Sequence, residues 1–150
     1  MPKKYSLDKN TIFLGIDYGL RKIGIAIGQC ITLKASPLKI IINKRDNTNW
    51  EELDGVIRKW MPKIIVLGYP NVKKENDFIK ALNHFNDELH KRYGNTIEIT
   101  KFSEDLSTEE SKIVYREIRK SQYKISKKPY LDDLSASIIL QSWLNENMIS

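Results

Sequence analysis

Four consecutive aliphatic residues, Ile64-Ile65-Val66-Leu67, follow Pro62-Lys63 and constrain the fold of this chain more than any other stretch. A strand sends alternate side chains to opposite faces, so a strand that is apolar on both must be covered on both. Lys63 to Leu67 is therefore expected as an interior strand of a sheet with helices packed on its two faces. The flanking patterns agree. Asn49 with Glu52 three residues on has the form of a capping box, and Trp50, Leu53, Ile57 and Trp60 recur at helical spacing until Pro62 stops the run. Asp77 to Tyr93 repeats the pattern with Phe78, Leu82, Phe85 and Leu89 on one stripe, and Gly94-Asn95 ends it before a strand over Thr96 to Phe102.

Upstream, Thr11 to Asp17 is an apolar run that halts at Asp-Tyr-Gly, and Lys22 to Gln29 alternates around Ile23, Ile25 and Ile27. These predict two antiparallel strands joined by a short turn, with a third strand over Leu38 to Asn43 after Pro37. Downstream, Ser107-x-x-Glu110 opens a helix through about Lys120, and Leu131 to Asn145 forms the last helix. Three meandering antiparallel strands followed by alternating helices and parallel strands define an α/β fold with a mixed sheet and helices on both faces. With no repeat and no Pro/Gly/Ser-rich linker, residues 12–150 are expected as a single domain behind a loose arm, 1–11.

At 150 residues the chain is long enough to bury one substantial core. Its apolar runs are too short to cross a bilayer, and no apolar stretch follows the lysines of the first eleven residues, so neither a membrane span nor a secretory signal is expected. Cys30 is the single cysteine; it cannot pair internally and is expected to pack, in keeping with a reducing, cytoplasmic setting. The net charge of +6 favours polyanionic partners. Seven of the 25 lysines and arginines, Lys112, Arg116, Arg119, Lys120, Lys124, Lys127 and Lys128, crowd one segment that holds only Glu117 against them. That segment reads equally as a solvated face and as a phosphate-binding track.

Three acids stand at structurally informative places. Asp17 ends a hydrophobic strand; alone it reads best as a turn residue bonding the backbone near Gly19. Glu104 follows the strand ending at Phe102, at the carboxyl edge where open α/β sheets bind ligands, although by itself it reads as a loop acid beside Asp105. Asp132 opens the last helix, where an acid complements the helix dipole, and shares a stripe with Ser135, Ala136, Ile139 and Trp143 that is expected to face the sheet. Together they suit magnesium, which takes hard oxygen ligands from a few carboxylates and keeps several waters. His84 and His90 fall in one predicted helix and are expected to be surface or packing residues; no zinc pattern, Walker loop or GxGxxG competes.

Four ordered motifs resemble one family. Ile16-Asp17-Tyr18-Gly19 with Arg21-Lys22-Ile23-Gly24-Ile25-Ala26-Ile27-Gly28, then Ile65-Val66-Leu67-Gly68-Tyr69-Pro70, then Glu104-Asp105-Leu106-Ser107-Thr108, and finally Leu131-Asp132-Asp133-Leu134-Ser135-Ala136 with Ile138-Ile139-Leu140-Gln141, are similar to the signatures of the YqgF family of RuvX-like proteins. These are described as pre-16S ribosomal RNA nucleases or Holliday-junction resolvase homologues. The resemblance spans about residues 12 to 145 and implies a ribonuclease H-like fold with acids binding magnesium or manganese. Carried over by position, the catalytic and metal-binding acids are Asp17, Glu104 and Asp132, with Arg21, Lys22, Lys127 and Lys128 expected to contact phosphates. Gly19 is expected to permit the hairpin turn and Gly68 a close backbone approach. The family's "DERLST" is Ser103-Glu104-Asp105 at its start here, so an arginine is replaced by an acid that could add a metal ligand. Tyr69 stands where the family has leucine and could pack, or stack on a base. The resemblance implies a nuclease acting on structured RNA, the 16S precursor within a ribosomal precursor particle. The alternatives are a resolvase of branched DNA and a binding factor that has lost catalysis, as monomer or homodimer.

Overall fold

The computed structural model describes residues 8–45, 47–71, 74–104, 113 and 134–148. Five strands, β1 (Ile12–Asp17), β2 (Lys22–Gln29), β3 (Lys34–Ile42), β4 (Ile64–Pro70) and β5 (Glu98–Glu104), form one sheet in the order β3-β2-β1-β4-β5. β1 runs antiparallel to β2 and β2 to β3, whereas β1, β4 and β5 are parallel neighbours. The helices described are α1 (Trp50–Trp60), α2 (Asp77–Tyr93) and α3 (Leu134–Asn147). The predicted meander, the parallel strands and the two covered faces are all present. The helix expected from Ser107 lies outside the described residues, as do residues 1–7 of the expected arm. Residues 8–11 make a turn in which the Thr11 N–H donates to the Asp8 carbonyl at 3.1 Å.

The strands' alternation divides the core in two. Leu14, Ile16, Ile23, Ile25, Ile41, Ile65 and Leu67 point to one face and pack on Leu53, Val56 and Ile57 of α1 and Leu82, Phe85 and Leu89 of α2. Phe13, Ala26, Ile64 and Val66 point to the other face and pack on Ala136, Ile139, Leu140, Trp143 and Leu144 of α3. Val66 and its neighbours Ile65 and Leu67 are wholly buried, as a doubly covered strand requires. Cys30 packs at the margin of the α3 cluster.

Several boundaries differ from expectation for local reasons. β3 begins at Lys34 and runs through Pro37, which an edge strand tolerates, beside an irregularity opposite Ile25 and Ala26. β5 starts later than Thr96 because the Thr96 and Ile97 amides are taken by the Tyr93 carbonyl at 3.0 and 2.9 Å. The cap of α1 is also a variant. The Asn49 side chain accepts from the Glu52 amide at 3.2 Å and donates to the Glu52 carboxylate at 3.1 Å, while its own backbone N–H goes to Asn43 Oδ1 at 3.2 Å. α1 ends on Met61, whose left-handed backbone (φ 48°) returns its N–H to the Ile57 carbonyl before Pro62.

Candidate active site

The carboxyl ends of β1, β4 and β5 open at the same edge of the sheet, because the three strands run parallel. Asp17 is the last residue of β1 and is half-buried. It pairs with Gly24 of β2 and has the parity of Phe13 and Gly15, which places it on the α3 face. The turn that follows is held tightly. A Cβ on Gly19 would sit 2.5 Å from the Lys22 carbonyl oxygen, so the expected role of this glycine rests on close approach; its φ is not positive. The Asn43 side-chain amide donates to the Gly19 and Leu20 carbonyls at 3.1 and 3.0 Å. Tyr18 anchors the strand end from the opposite face, its ring 4.7 Å from Phe85 and 5.9 Å from Phe78 of α2.

α3 brings the other wall. Gly15 lets it lie against β1: an added Cβ there would fall 2.7 Å from Leu140 Cβ and 2.9 Å from the Ala136 carbonyl oxygen. Gln141 sets its position along the sheet by donating to the Leu33 carbonyl at 3.0 Å and accepting from the Ala35 amide at 2.8 Å. The first turn of α3 then meets the end of β1, and a cleft of about 210 Å³ forms there, lined by Asp17, Tyr18, Gly19, Arg21, Lys22, Gly24, Ile40 and Ser135. An aspartate, a serine, an arginine and a lysine thus line one small cavity together with two glycines. The volume is several times the ~30 Å³ of a water molecule in the liquid, enough for an ion with part of its hydration shell or for a phosphate group.

Of the residues expected from the sequence, the structure brings Asp17, Arg21 and Lys22 together in this cleft. Glu104 is the last residue of β5, paired with Pro70. Its position is two strands across from β1 and two residues beyond the level of Asp17, on the order of 10 Å across and 7 Å along. Asp132, Asp105, Lys127 and Lys128 lie outside the described residues. Among the described residues, no three carboxylate, histidine or cysteine side chains gather.

Tyr69 packs. Its hydroxyl donates to Asn83 Oδ1 of α2 at 3.2 Å and Lys101 Nζ lies 4.5 Å from its ring centre, on the face away from Asp17. Burial, and then the nearby Asp87 carboxylate, push its pKa up. His84 and His90 are exposed on α2. Two contributors were not singled out from the sequence. Ile40 shapes the cleft wall and looked like any strand residue; Asn43, which fixes the turn, was visible only as a polar residue ending the Ile40–Ile42 run.

The model of the RuvX family, described as Holliday junction resolvase, matches residues 11–146. The chain belongs to the RuvX family. Among RuvX relatives, a protein of Nitrosococcus oceani provisionally named pre-16S rRNA nuclease is 35% identical over 143 residues, covering 94% of this chain and 91% of its own length. One of Legionella pneumophila, with the same name, is 33% identical and is covered over 96% of its length, as is 91% of this chain. Solved structures of similar fold include Thermus thermophilus RuvC in complex with a Holliday junction substrate (TM-score 0.59, 14% identity, 93% of this chain and 96% of that one). A second is the fowlpox virus Holliday junction resolvase (TM-score 0.58, 13% identity, 91% and 99%). The fold is therefore the RuvC-like variant of the ribonuclease H-like architecture.

Proposed function

We propose that this RuvX protein is a metal-dependent nuclease that hydrolyses phosphodiesters in structured RNA, and that its task is 5′-end maturation of the 16S rRNA precursor. The observation that carries the reading is the cleft at the carboxyl end of β1, which Asp17, Arg21, Lys22 and Ser135 all line. The names of the relatives support the choice of RNA. No described helix is long and apolar enough to cross a membrane, which accords with work on a ribosomal precursor particle in the cytoplasm.

The donor set fits a hard divalent cation, magnesium or manganese: a half-buried carboxylate lining a small cleft beside a serine. Asp17, Glu104 and Asp132 would hold it, from the ends of β1 and β5 and the approach to α3. When bound, such ions supply an activated water and neutralise charge on the leaving oxygen. The chain's own part is placement. Asp17 is fixed by the tight turn behind it, Arg21 and Lys22 draw the scissile phosphate toward it, and the first turn of α3 contributes Ser135 to the wall. Lys127 and Lys128 would extend the phosphate contacts.

Cleavage of a precursor-like RNA in magnesium or manganese, comparing wild type with Asp17→Asn, tests this. The variant is expected to cut at least about a hundredfold more slowly, as loss of a ligand at such a site implies. Equal rates would remove the mechanism. A second reading, cleavage of branched DNA as monomer or homodimer, is favoured by the junction complex of the RuvC neighbour. Digesting a four-way DNA junction beside the RNA separates the two. A third, a binding factor without catalysis, requires RNA binding with no cleavage of either substrate.

A further inference from the structure

We infer that the short hairpin following β3, which carries Lys44 and Arg45, is a phosphate-binding arm that extends the cleft along the substrate backbone. The inference rests on the nucleic-acid reading of the cleft and adds two residues to it. Lys44 and Asn47 exchange both backbone hydrogen bonds, at 3.1 and 2.9 Å, and close a hairpin of two intervening residues. Arg45, the first of the two, has φ 44°. Turns of this kind ordinarily place Gly, Asn or Asp at positive φ, because a side chain with a full Cβ is strained there. Backbone strain spent on an arginine at an exposed tip is the kind of cost that a binding role repays.

The arm does not hang free. The Asn43 N–H donates to the Arg21 carbonyl at 2.9 Å, its side-chain amide holds the Gly19 and Leu20 carbonyls, and its Oδ1 accepts from the Asn49 N–H at the start of α1. Lys44 and Arg45 are thereby fixed beside the turn that bears Arg21, all three exposed. None of the three makes an ion pair with a carboxylate among the described residues, whereas Lys39, Arg58 and Arg92 are matched to Glu52, Asp54 and Glu88. Asp46 follows the two cations in the sequence and leaves the arm with Arg21 net positive, so a polyanion laid across them is attracted while it releases its own counterions.

Binding of a blunt RNA duplex and of a four-way DNA junction to the full chain, measured by fluorescence anisotropy in EDTA across a salt series, tests the arm without interference from cleavage. The double variant Lys44→Ala/Arg45→Gly is expected to bind on the order of tenfold more weakly near physiological salt, with a log–log salt slope on DNA smaller by about 1.8, about 0.9 for each phosphate left unneutralised. Glycine at position 45 relieves the backbone, so the melting temperature should hold or rise by about 2–4 °C, and weaker binding cannot then be laid to unfolding. Lys80→Ala/Lys91→Ala removes the same charge from exposed sites on α2 and should keep the wild-type slope. Weaker binding to either probe supports the arm, and the probe affected tells which nucleic acid it grips. Unchanged affinity and slope on both probes overturns it, as does an equal weakening in the α2 variant. A chain that binds through the arm yet cuts neither the junction nor a precursor-like RNA with magnesium or manganese sinks the nuclease reading alone; one that cuts either, but binds as well without the arm, sinks the arm alone.

Discussion

Tyr93, in the last turn of α2, shows how one side chain can tie two helices and leave a signature in pH. Its hydroxyl donates to Asp54 Oδ1 of α1 at 3.2 Å, and Asp54 also holds Arg58 at 2.7 Å. Burial first, and then the Asp54 charge and hydrogen bond, push the Tyr93 pKa from 10.0 to about 12. A folded-state value above the unfolded one means that the contribution is complete below pH 10 and is lost as pH rises toward 12. Wild type should therefore lose more stability across that window than Tyr93→Phe, measured by urea unfolding at stepped pH. Lysines titrating in the same range are common to both proteins and cancel in the difference; superimposable profiles would refute the assignment.

At the scale of elements, the seat of α3 on the sheet decides whether the cleft exists. Gly15→Ala would drive a methyl group into Leu140 Cβ and the Ala136 carbonyl, neither of which is a flexible chain end. Overpacking of this kind costs about 1–3 kcal/mol, so a fall of roughly 2–12 °C in melting temperature is expected, checked by calorimetry. Nucleic-acid cleavage should suffer as well, since the displaced turn carries Ser135. The sequence was a good guide to elements that packing makes periodic: β2 and α2 match expectation to the residue, and β1 to within one. It was a poorer guide where backbone geometry or an edge decides, as at Pro37 inside β3 and at the turn that delays β5. In the candidate site, Asp17, Arg21 and Lys22 were legible because an acid closing an apolar strand and a basic pair after it are local patterns. The Asn43 clamp was not, since its partners lie 23 and 24 residues away and only the fold makes them neighbours. For Tyr69, both packing and stacking were open until the strand's parity turned it toward α2.

For the whole molecule, the sheet separates two tasks. The face under α1 and α2 is an aromatic and aliphatic core, with Trp50 stacked 5.2 Å from Phe85; the face under α3 carries the cleft at its open end. Cation binding at that end should stabilise the entire fold, because an ion held by the native state alone draws the unfolding equilibrium toward it. Manganese at about a hundred times its dissociation constant should raise the wild-type melting temperature by roughly 5–10 °C, and should leave Asp17→Asn nearly unmoved. A similar gain in both proteins would mean that the ion sits elsewhere. The strand β1 and the helix that covers it also stand far apart in the chain: Gly15 touches Leu140. During synthesis the strands emerge first, and Phe13, Ala26, Ile64 and Val66 then present a bare greasy surface until residues 134–148 arrive to cap it. A growing polypeptide of this design is thus a half-built tool, unable to form its cutting edge until that last helix has emerged, and it is in that interval that it most needs shielding from sticking to its neighbours.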